Sequence, residues 1–316
     1  MTRVMPTVDI LLATYNGHAY LPEQLRSIEA QDYGSWRLIA RDDGSSDSTL
    51  ALLKAFRERH QERVTLAHDE DGNLGPCGNF AQLLTLSVAP YFTPCDQDDV
   101  WLSGKLSRII AAIKNAEGKT GEGIPILLHS DLMVVDRELR RRSDSLWRHQ
   151  FINPRRSRWS QLVVQNVVTG CASIGNSALR RAALPVPNEA VMHDWWFALV
   201  AAVVGRIEWI SDRTVLYRQH GANDTGAKPW NLSYILRSLP ALLRDERLQE
   251  SLNRYRRQAR ALLASHGASM SARDRSGLDA FSRIMSFPGF RRRVILFRFG
   301  IWKTGLLRNA ALLARI

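Results

Sequence analysis

The sequence predicts an α/β fold with a mostly parallel, doubly wound sheet over its first hundred residues. Apolar runs of strand length occur at 8–14 (VDILLAT), 36–41 (WRLIAR), 64–68 (VTLAH) and 90–96 (PYFTPCD), and helical patterns separate them. Three of these runs end directly in a polar cluster. Strands that alternate with helices are typical of βαβ units, and continuous apolar strands are typical of sheets covered on both faces.

Start signals and periodicity place the helices between these strands. They are predicted at about 21–31, 48–60 and 78–87. Asp47 or Ser46 stands where a side chain would cap the second of these helices.

Beyond about residue 105 the pattern changes. A helix, two strands, a buried helix and two further strands are predicted, in chain order, at 102–116, 124–131, 169–175, 193–205, 206–211 and 214–219. From Leu232 onward the chain is helical by pattern and rich in arginine. We therefore expect a catalytic domain at 1–230 and a basic α-helical C-terminal region at 231–316.

The net charge of +12 comes from one end of the chain. The C-terminal region holds 17 of the 43 basic residues and 5 of the 31 acidic ones, so 26 of each remain in 1–230. This excess has two interpretations: a solvated helical surface, or attraction to a polyanion such as anionic lipid or nucleic acid.

Cysteine usage and hydropathy predict a cytoplasmic protein. Cys77, Cys95 and Cys171 form no CxxC pair and no zinc spacing, and they fit a reducing compartment. The N-terminus has no long apolar signal core, and the longest clean apolar run, 197–204, is too short to cross a bilayer. A peripheral position on the inner face of the membrane remains an alternative.

The polar clusters ATYNG (13–17), RDDGSSD (41–47) and CDQDDVW (95–101) follow three successive predicted strands. Ligands of open α/β sheets bind at the carboxyl ends of the strands. Turn formation alone would explain DDGSSD, but it does not easily explain three such clusters. Together they predict a site for a ligand with many polar groups.

The acidic cluster Asp96, Asp98 and Asp99 is the sharpest of these features. Three carboxylates within four residues repel one another unless a cation is present, and Mg²⁺ or Mn²⁺ prefers such oxygen ligands. At an extended strand end, Asp96 and Asp98 would project to the same side. The alternative is a solvated acidic loop.

Two later segments add candidates. Asp194 stands at the start of an apolar helix, where it is either a helix N-terminal residue favoured by the dipole or a general base toward a hydroxyl. The neighbouring Trp195 and Trp196 suggest a flat apolar surface that faces a sugar ring. His220, in the polar run YRQHGANDTG (217–226), is a candidate for a phosphate or metal contact, although a loop histidine often has neither role.

Seven motifs in order, ATYNG, DDGSSDST, NLGPCGNF, CDQDDVW, TGC, HDWW and YRQHGANDTG, resemble the family 2 glycosyltransferases, which have the GT-A fold. The combination of CDQDDVW with YRQHG is similar to the branch that includes bacterial rhamnosyltransferases. The resemblance covers about residues 7–228 and leaves out the C-terminal region.

The resemblance implies roles at matching positions. Asp194 would be the catalytic base, Asp98 the metal ligand, and His220 a contact of the diphosphate or metal. The residues implied for the nucleotide and donor sugar are Thr14, Tyr15, Asn16, Asp42, Asp43, Asn73, Gly75, Asn79, Asp96, Asp99, Trp101 and Lys105. Among these, Asp43 would bond the pyrimidine base and Asp96 the ribose. His193 departs from the pattern, because many relatives carry Glu before the catalytic Asp.

The implied reaction is inverting, metal-dependent sugar transfer from a nucleotide-diphosphate donor. The first choice of donor is dTDP-rhamnose, and otherwise a UDP-hexose. The acceptor would be a hydroxyl of a glycan or lipid-linked glycan in cell-surface polysaccharide synthesis. A divalent cation would neutralise the departing diphosphate, so one base is enough.

Two other functions compete with this one. A nucleotidyltransferase making a nucleotide-sugar would need a basic, Gly-rich loop after the first strand, where TYNGHAY has no Lys or Arg. A non-enzymatic nucleic-acid binder would suit the basic tail, but no nucleic-acid motif is present, and nucleic acid is not an expected partner. The tail itself has three interpretations: membrane contact, packing on the catalytic domain, or an oligomer contact.

Overall fold

A computed structural model describes residues 5–68, 72–121, 123–220, 246–314 and 316. The described residues form a nine-stranded mixed sheet with the order β3-β2-β1-β4-β8-β6-β9-β5, and β7 pairs with β6. The strands are β1 Val8–Thr14, β2 Trp36–Asp42, β3 Val64–Leu66, β4 Tyr91–Asp96, β5 Val100–Trp101, β6 Ile126–Val135, β7 Arg141–Ser143, β8 Ser173–Asn176 and β9 Arg206–Arg218.

Helices flank the sheet and continue into the C-terminal region. They are α1 Leu21–Glu29, α2 Thr49–Arg59, α3 Gly75–Leu86, α4 Lys105–Thr120, α5 Leu146–Gln150, α6 Trp159–Leu162, α7 Ser177–Ala183, α8 His193–Val204, α9 Glu246–His266, α10 Ala272–Ser282, α11 Gly289–Phe299 and α12 Leu306–Leu313. No helix among the described residues is both long and apolar enough to cross a membrane.

The first half of the sheet confirms the predicted parallel arrangement. Strand β1 lies between β2 and β4 and is parallel to both. Thr14 pairs with Asp42, and Ala13 pairs with Asp96, so the three strands end at the same edge. Parallel neighbouring strands need a crossover connection, and the helices between these strands supply it. The strand residues are buried between helical layers. The three polar clusters therefore meet at one edge, as the GT-A prediction requires.

The second half differs from the prediction in two places. The two strands expected at 206–211 and 214–219 form one strand, β9, whose register with β6 shifts between Ser130 and Asp131. The strand expected at 169–175 begins only at Ser173, because Gly170–Ala172 forms a 3₁₀ turn. An irregularity within a paired strand leaves no turn signal in the sequence, so it cannot be distinguished from a break.

The predicted cap of α2 is present in altered form. The N-cap residue is Ser48, which makes no side-chain cap hydrogen bond. Instead, Asp47 accepts hydrogen bonds from the Thr49 amide at 2.9 Å and the His18 amide at 3.2 Å. Asp47 thus serves the helix start and also holds the loop after β1.

The C-terminal helices share a hydrophobic core with the catalytic part. Leu262 of α9, Phe281 of α10 and Leu296 of α11 are fully buried in the same cluster as Trp196 and Leu199 of α8. Burial of each such side chain contributes about 1.5–3 kcal/mol to folding. Three interpretations of the C-terminal region were open, and helices α9, α10 and α11 follow one of them: they pack on the catalytic part. The boundary at residue 230 lies outside the described residues and stays a prediction.

Candidate active site

Hydrogen bonds connect the loops after β1 and β2. The Thr14 hydroxyl donates to Asp42 Oδ1 at 2.9 Å, and the Asn16 amide donates to Ser45 Oγ at 2.8 Å. Asn16 Oδ1 in turn accepts from the Ser46 amide at 2.8 Å. Asn16 has φ +47°, a conformation that Asn adopts more readily than most residues. These contacts give the predicted nucleotide pocket one ordered wall.

Asp43 directly follows β2 and is buried against the N-terminus of α3. Its carboxylate is 2.5 Å from Arg41 Nη1 and accepts from the Leu74 and Gly75 amides at 2.9 and 2.8 Å. The Asn73 side-chain amide donates to the Asp43 carbonyl at 3.0 Å. Asp43, Asn73 and Gly75 are thus brought together as predicted. The carboxylate has several partners of its own, and its contact with a pyrimidine base stays a prediction.

Tyr15 and Asn79 also form hydrogen bonds in this part of the site. Tyr15 is exposed, and its backbone exchanges hydrogen bonds of 2.9 and 2.8 Å with the side-chain amide of Gln97. Asn79 is buried, with its Nδ2 3.4 Å from the carbonyl oxygens of Thr14 and Arg41. Gln97 was not singled out from the sequence, and it joins the first polar cluster to the acidic one.

The acidic cluster is arranged differently from the expected alternation. Strand β4 ends at Asp96, so Asp98 lies in the following turn. Asp96, Asp99 and Cys171 each offer one ligand atom, and these atoms lie within 4.8 Å of one another. The expected strand alternation therefore does not extend to Asp98, although its charge still acts on Asp96, and Asp99 joins Asp96 and Cys171 in one group.

Burial and mutual repulsion disfavour ionised carboxylates in this cluster. Burial, followed by the charges of Asp98 and Asp194, raises the pKa of Asp96 to about 7. Burial and the charges of Asp98 and Asp96 raise the pKa of Asp99 well above its usual value. The pKa of the Cys171 thiol is raised mainly by burial, so its sulfur stays protonated and a weak ligand. Crowded carboxylates of this kind fit a divalent cation that prefers oxygen.

Asp98 and His220 lie together, although the sequence separates them by 122 positions. Asp98 Oδ2 is 2.8 Å from His220 Nε2, and the imidazole stacks on the Tyr20 ring at 4.6 Å between centroids. A carboxylate oxygen is a ligand that Mg²⁺ and Mn²⁺ prefer, and an imidazole is a common metal ligand, so the pair fits the predicted metal role. The ligand assignment itself stays a prediction.

Arg218 was missed in the sequence and organises this side of the site. Its backbone amide donates to Asp99 Oδ1 at 3.0 Å, and its Nε donates to the Asp98 carbonyl at 2.8 Å. Its guanidinium also pairs with Glu23 of α1. The side chain is buried, and it fixes the acidic turn against β9 and α1. The only sequence signal was an arginine next to the polar run that holds His220.

Lys105 and Trp101 form the floor below the cluster. Lys105 is fully buried, donates to the Cys171 carbonyl, and lies 3.3 Å from the centre of the Trp101 ring. Burial lowers the pKa of Lys105 to about 8. Trp101 is itself buried beneath this lysine. Both donor roles stay predictions.

Asp194 lies in the first turn of α8, and two donors from outside the helix hold its carboxylate. Its Oδ2 accepts from the Gly170 amide at 3.0 Å, and its Oδ1 accepts from Asn166 Nδ2 at 3.1 Å. Burial raises the pKa of Asp194 to about 7, the range of an effective general base near neutral pH. Its charge reaches Asp96, so the two carboxylates share one region. Asn166 is a second residue that the sequence did not reveal.

The tryptophans beside Asp194 do not form the predicted sugar-facing surface. Trp195 Nε1 donates to the Leu162 carbonyl at 2.6 Å, and Trp196 Nε1 donates to the Ala183 carbonyl at 2.9 Å. Both rings are buried in the core around α8. The prediction was wrong because an apolar helix at the centre of the fold buries its aromatic residues on all sides.

Three polar loops, an acidic cluster and a separate carboxylate lie at one edge of parallel strands. This arrangement defines the GT-A class of glycosyltransferases. Residues 9–182 match the family model described as glycosyl transferase family 2, and the chain belongs to that family. Membership confirms the resemblance stated for the motifs.

Characterised relatives show which kinds of protein this chain is similar to. It is 29% identical over 106 residues to the GalNAc(5)-diNAcBac-PP-undecaprenol beta-1,3-glucosyltransferase of Campylobacter jejuni, covering 34% of each chain. It is 26% identical over 230 residues to the dTDP-rhamnosyl transferase RfbG of Shigella flexneri, covering 71% of this chain and 75% of that one. The match to the first of these spans only about a third of that relative's length.

Solved structures share the fold at low identity. The Staphylococcus aureus protein TarS in complex with UDP aligns with a TM-score of 0.56 and 16% identity, over 90% of this chain and 73% of that one. The mannosyltransferase PcManGT of Pyrobaculum calidifontis, in complex with GDP-Man and Mn²⁺, aligns with a TM-score of 0.51 and 16% identity, over 94% and 87%. These likenesses confirm the predicted fold class.

Proposed function

We propose that this protein is an inverting, metal-dependent glycosyltransferase in which Asp194 is the catalytic base. The observation that carries the proposal is the hydrogen-bonded position of Asp194 in the first turn of α8, near the acidic cluster but outside the group of Asp96, Asp99 and Cys171. It is fixed by Asn166 and Gly170, with its pKa raised to about 7. A carboxylate so placed can take the proton of an acceptor hydroxyl as that hydroxyl attacks the anomeric carbon. Attack from the face opposite the leaving group inverts the configuration.

The donor side of the site is assigned to the acidic turn. Asp98 and His220 would hold Mg²⁺ or Mn²⁺, and Asp96 would bond the ribose. The cation, when bound, neutralises charge on the departing nucleoside diphosphate. The binding of GDP-Man and Mn²⁺ by the structural neighbour PcManGT supports this arrangement.

The donor is proposed to be dTDP-rhamnose, with a UDP-hexose as the alternative. Similarity to a dTDP-rhamnosyl transferase over 71% of this chain supports the first choice. The acceptor is proposed to be a hydroxyl of a glycan or lipid-linked glycan in cell-surface polysaccharide synthesis. A relative whose name includes an undecaprenol diphosphate supports that class. We further propose that the C-terminal region, 231–316, holds the protein on the inner face of the membrane.

A donor panel tests this function directly. The full chain is incubated with dTDP-rhamnose and several UDP-hexoses, with Mg²⁺, Mn²⁺ or EDTA, and released nucleoside diphosphate is measured. We expect release from one donor class, dependent on the cation and faster when a glycan acceptor is added. Release of pyrophosphate from a nucleoside triphosphate and a sugar phosphate, without diphosphate release, would instead indicate a nucleotidyltransferase.

A further inference from the structure

Exposed apolar side chains are concentrated near the C-terminus. Among the described residues, five of the thirteen exposed large apolar side chains lie within 289–316. They are Phe290 at 79% exposure, Val294 at 42%, Phe297 at 65%, Leu306 at 89% and Leu307 at 48%. Single exposed apolar residues are normal on a protein surface, but a concentration of this kind marks a contact with a membrane or a partner.

Helix α11 presents three of these side chains as one stripe. Phe290, Val294 and Phe297 are spaced by four and three residues, which places them on the same side of an α-helix. The opposite side of α11 is held in the core by Ile295 and Leu296. The orientation of the helix is therefore fixed by its packing, and the apolar stripe faces outward.

Arginines lie on both sides of this stripe. At about 100° per residue, Arg293 falls on one side of the stripe, and Arg298 and Arg291 fall on the other. All three side chains are exposed. The remaining arginine of the helix, Arg292, is instead directed to the Phe287 carbonyl at 2.6 Å. The exposed face of α11 is thus apolar at its centre and cationic along both margins.

The sequence around this helix has no compensating negative charge. Residues 289–316 contain seven Lys or Arg and no Asp or Glu. A partner for this face must therefore be anionic and must also accept large apolar side chains. Nucleic acid offers phosphates but little to bury a phenylalanine stripe, whereas the headgroup region of an anionic bilayer offers both.

We propose that this face of α11 docks on an anionic lipid bilayer. Phe290, Val294 and Phe297 enter the boundary between headgroups and acyl chains, while Arg291, Arg293 and Arg298 bind lipid phosphates. This inference rests on the membrane association proposed above, and it assigns that association to one surface. It does not depend on the choice of donor, acceptor or base.

Vesicle flotation of the full chain tests the apolar part of the proposal. We expect the chain to float with vesicles of phosphatidylcholine and phosphatidylglycerol and to remain behind with pure phosphatidylcholine. Phe290→Ser with Phe297→Ser should lower the bound fraction at least about ten-fold. Leu86→Ser with Val88→Ser, which removes two exposed apolar side chains elsewhere, should bind as wild type. Thermal melts confirm that each variant is folded, and Phe290→Ser alone serves if the double variant is not.

A charge reversal tests the cationic margins. Arg291→Glu with Arg293→Glu should lower binding to the anionic vesicles by a similar factor, and added salt should weaken binding of the wild type. Lys54→Glu with Arg57→Glu makes the same change in net charge on exposed positions of α2 and should have a much smaller effect.

The outcomes distinguish the assignment to α11 from the membrane association itself. If the wild type binds anionic vesicles and the α11 variants bind equally well, the assignment to α11 is wrong while the membrane association stands. If the wild type binds no vesicle, or binds nucleic acid through the same residues instead, both proposals fail. Diphosphate release from the donor panel is measured on the same preparations, so loss of the proposed reaction is recognised independently.

Discussion

The replacement Asp194→Asn preserves the shape of the proposed base and removes its proton affinity. The carboxylate oxygens face two donors, the Gly170 amide and Asn166 Nδ2. An amide group in the same place must turn its NH₂ toward one of these donors. Asn166 cannot easily turn to compensate, because its own amide exchanges hydrogen bonds of 2.9 and 3.0 Å with the Val168 backbone.

The expected magnitudes follow from these contacts. One lost hydrogen bond in a buried place lowers the free energy of unfolding by about 1–3 kcal/mol. Loss of general-base catalysis lowers the transfer rate by about 10²–10⁴-fold. The effect on the free energy of unfolding depends on pH in its own way. Folding raises the pKa of Asp194 from 3.8 to about 7 and so disfavours its ionised form. Wild-type stability should fall as the pH rises from about 4 to about 7, and the variant should lose that contribution.

The assay is diphosphate release with saturating acceptor and Mn²⁺, followed from pH 5 to 9. Saturating Mn²⁺ should lower the pKa of both Asp96 and Asp99, so we expect the acid limb of kcat/KM to report Asp194. The wild-type rate should fall as the pH drops below about 7, and the variant should show a low rate without that limb. Donor affinity should be nearly unchanged, since Asp194 contacts no donor residue among those assigned. A variant with near-normal turnover, or with an intact acid limb, would refute the assignment of the base.

Three further variants and one control variant test other parts of the structure. Asp98→Ala should weaken Mn²⁺ binding at least about ten-fold in titration calorimetry, because it removes a proposed ligand oxygen and leaves His220 without its carboxylate neighbour; unchanged affinity would exclude Asp98 as a ligand. Asn166→Ala should move the acid limb of kcat/KM to higher pH, since its amide stabilises the ionised base; an unmoved limb would contradict a positioning role. Gly205→Ala should cost about 1–3 kcal/mol in denaturant unfolding, because a Cβ there would lie 1.9 Å from a backbone carbonyl oxygen. Gly118→Ala, in open space on α4, should add about 0.5–1 kcal/mol, and equal losses for both would contradict the packing argument.

Local pattern was enough for the parallel half of the fold. Apolar runs at 8–14, 36–41 and 90–96 have the length and continuity of buried strands, and polar residues follow them where the strands end. These signals are short-range and depend on few residues. The one-strand nature of β9 and the 3₁₀ turn at Gly170–Ala172 depend on pairing with distant residues, and no local signal shows them.

The tryptophans and the arginines of the C-terminal region show the same limit. Trp195 and Trp196 are equally compatible with a binding surface or a core, and the decision comes from the layers that enclose α8. On a helical wheel the arginines of α11 do not form one face. Once packing fixes which side of α11 is buried, Arg291, Arg293 and Arg298 become the two margins of an exposed apolar stripe.

By itself the sequence determined the α/β class, the family and the identity of the polar residues, because strand length, turn chemistry and motif order are written in local stretches. Only the tertiary structure decided which of these residues meet. It brought Asp98 to His220 across 122 positions, grouped Asp99 and Cys171 with Asp96, and supplied Arg218 and Asn166 as partners. Distances between side chains depend on how distant elements pack, and that is a property of the whole fold.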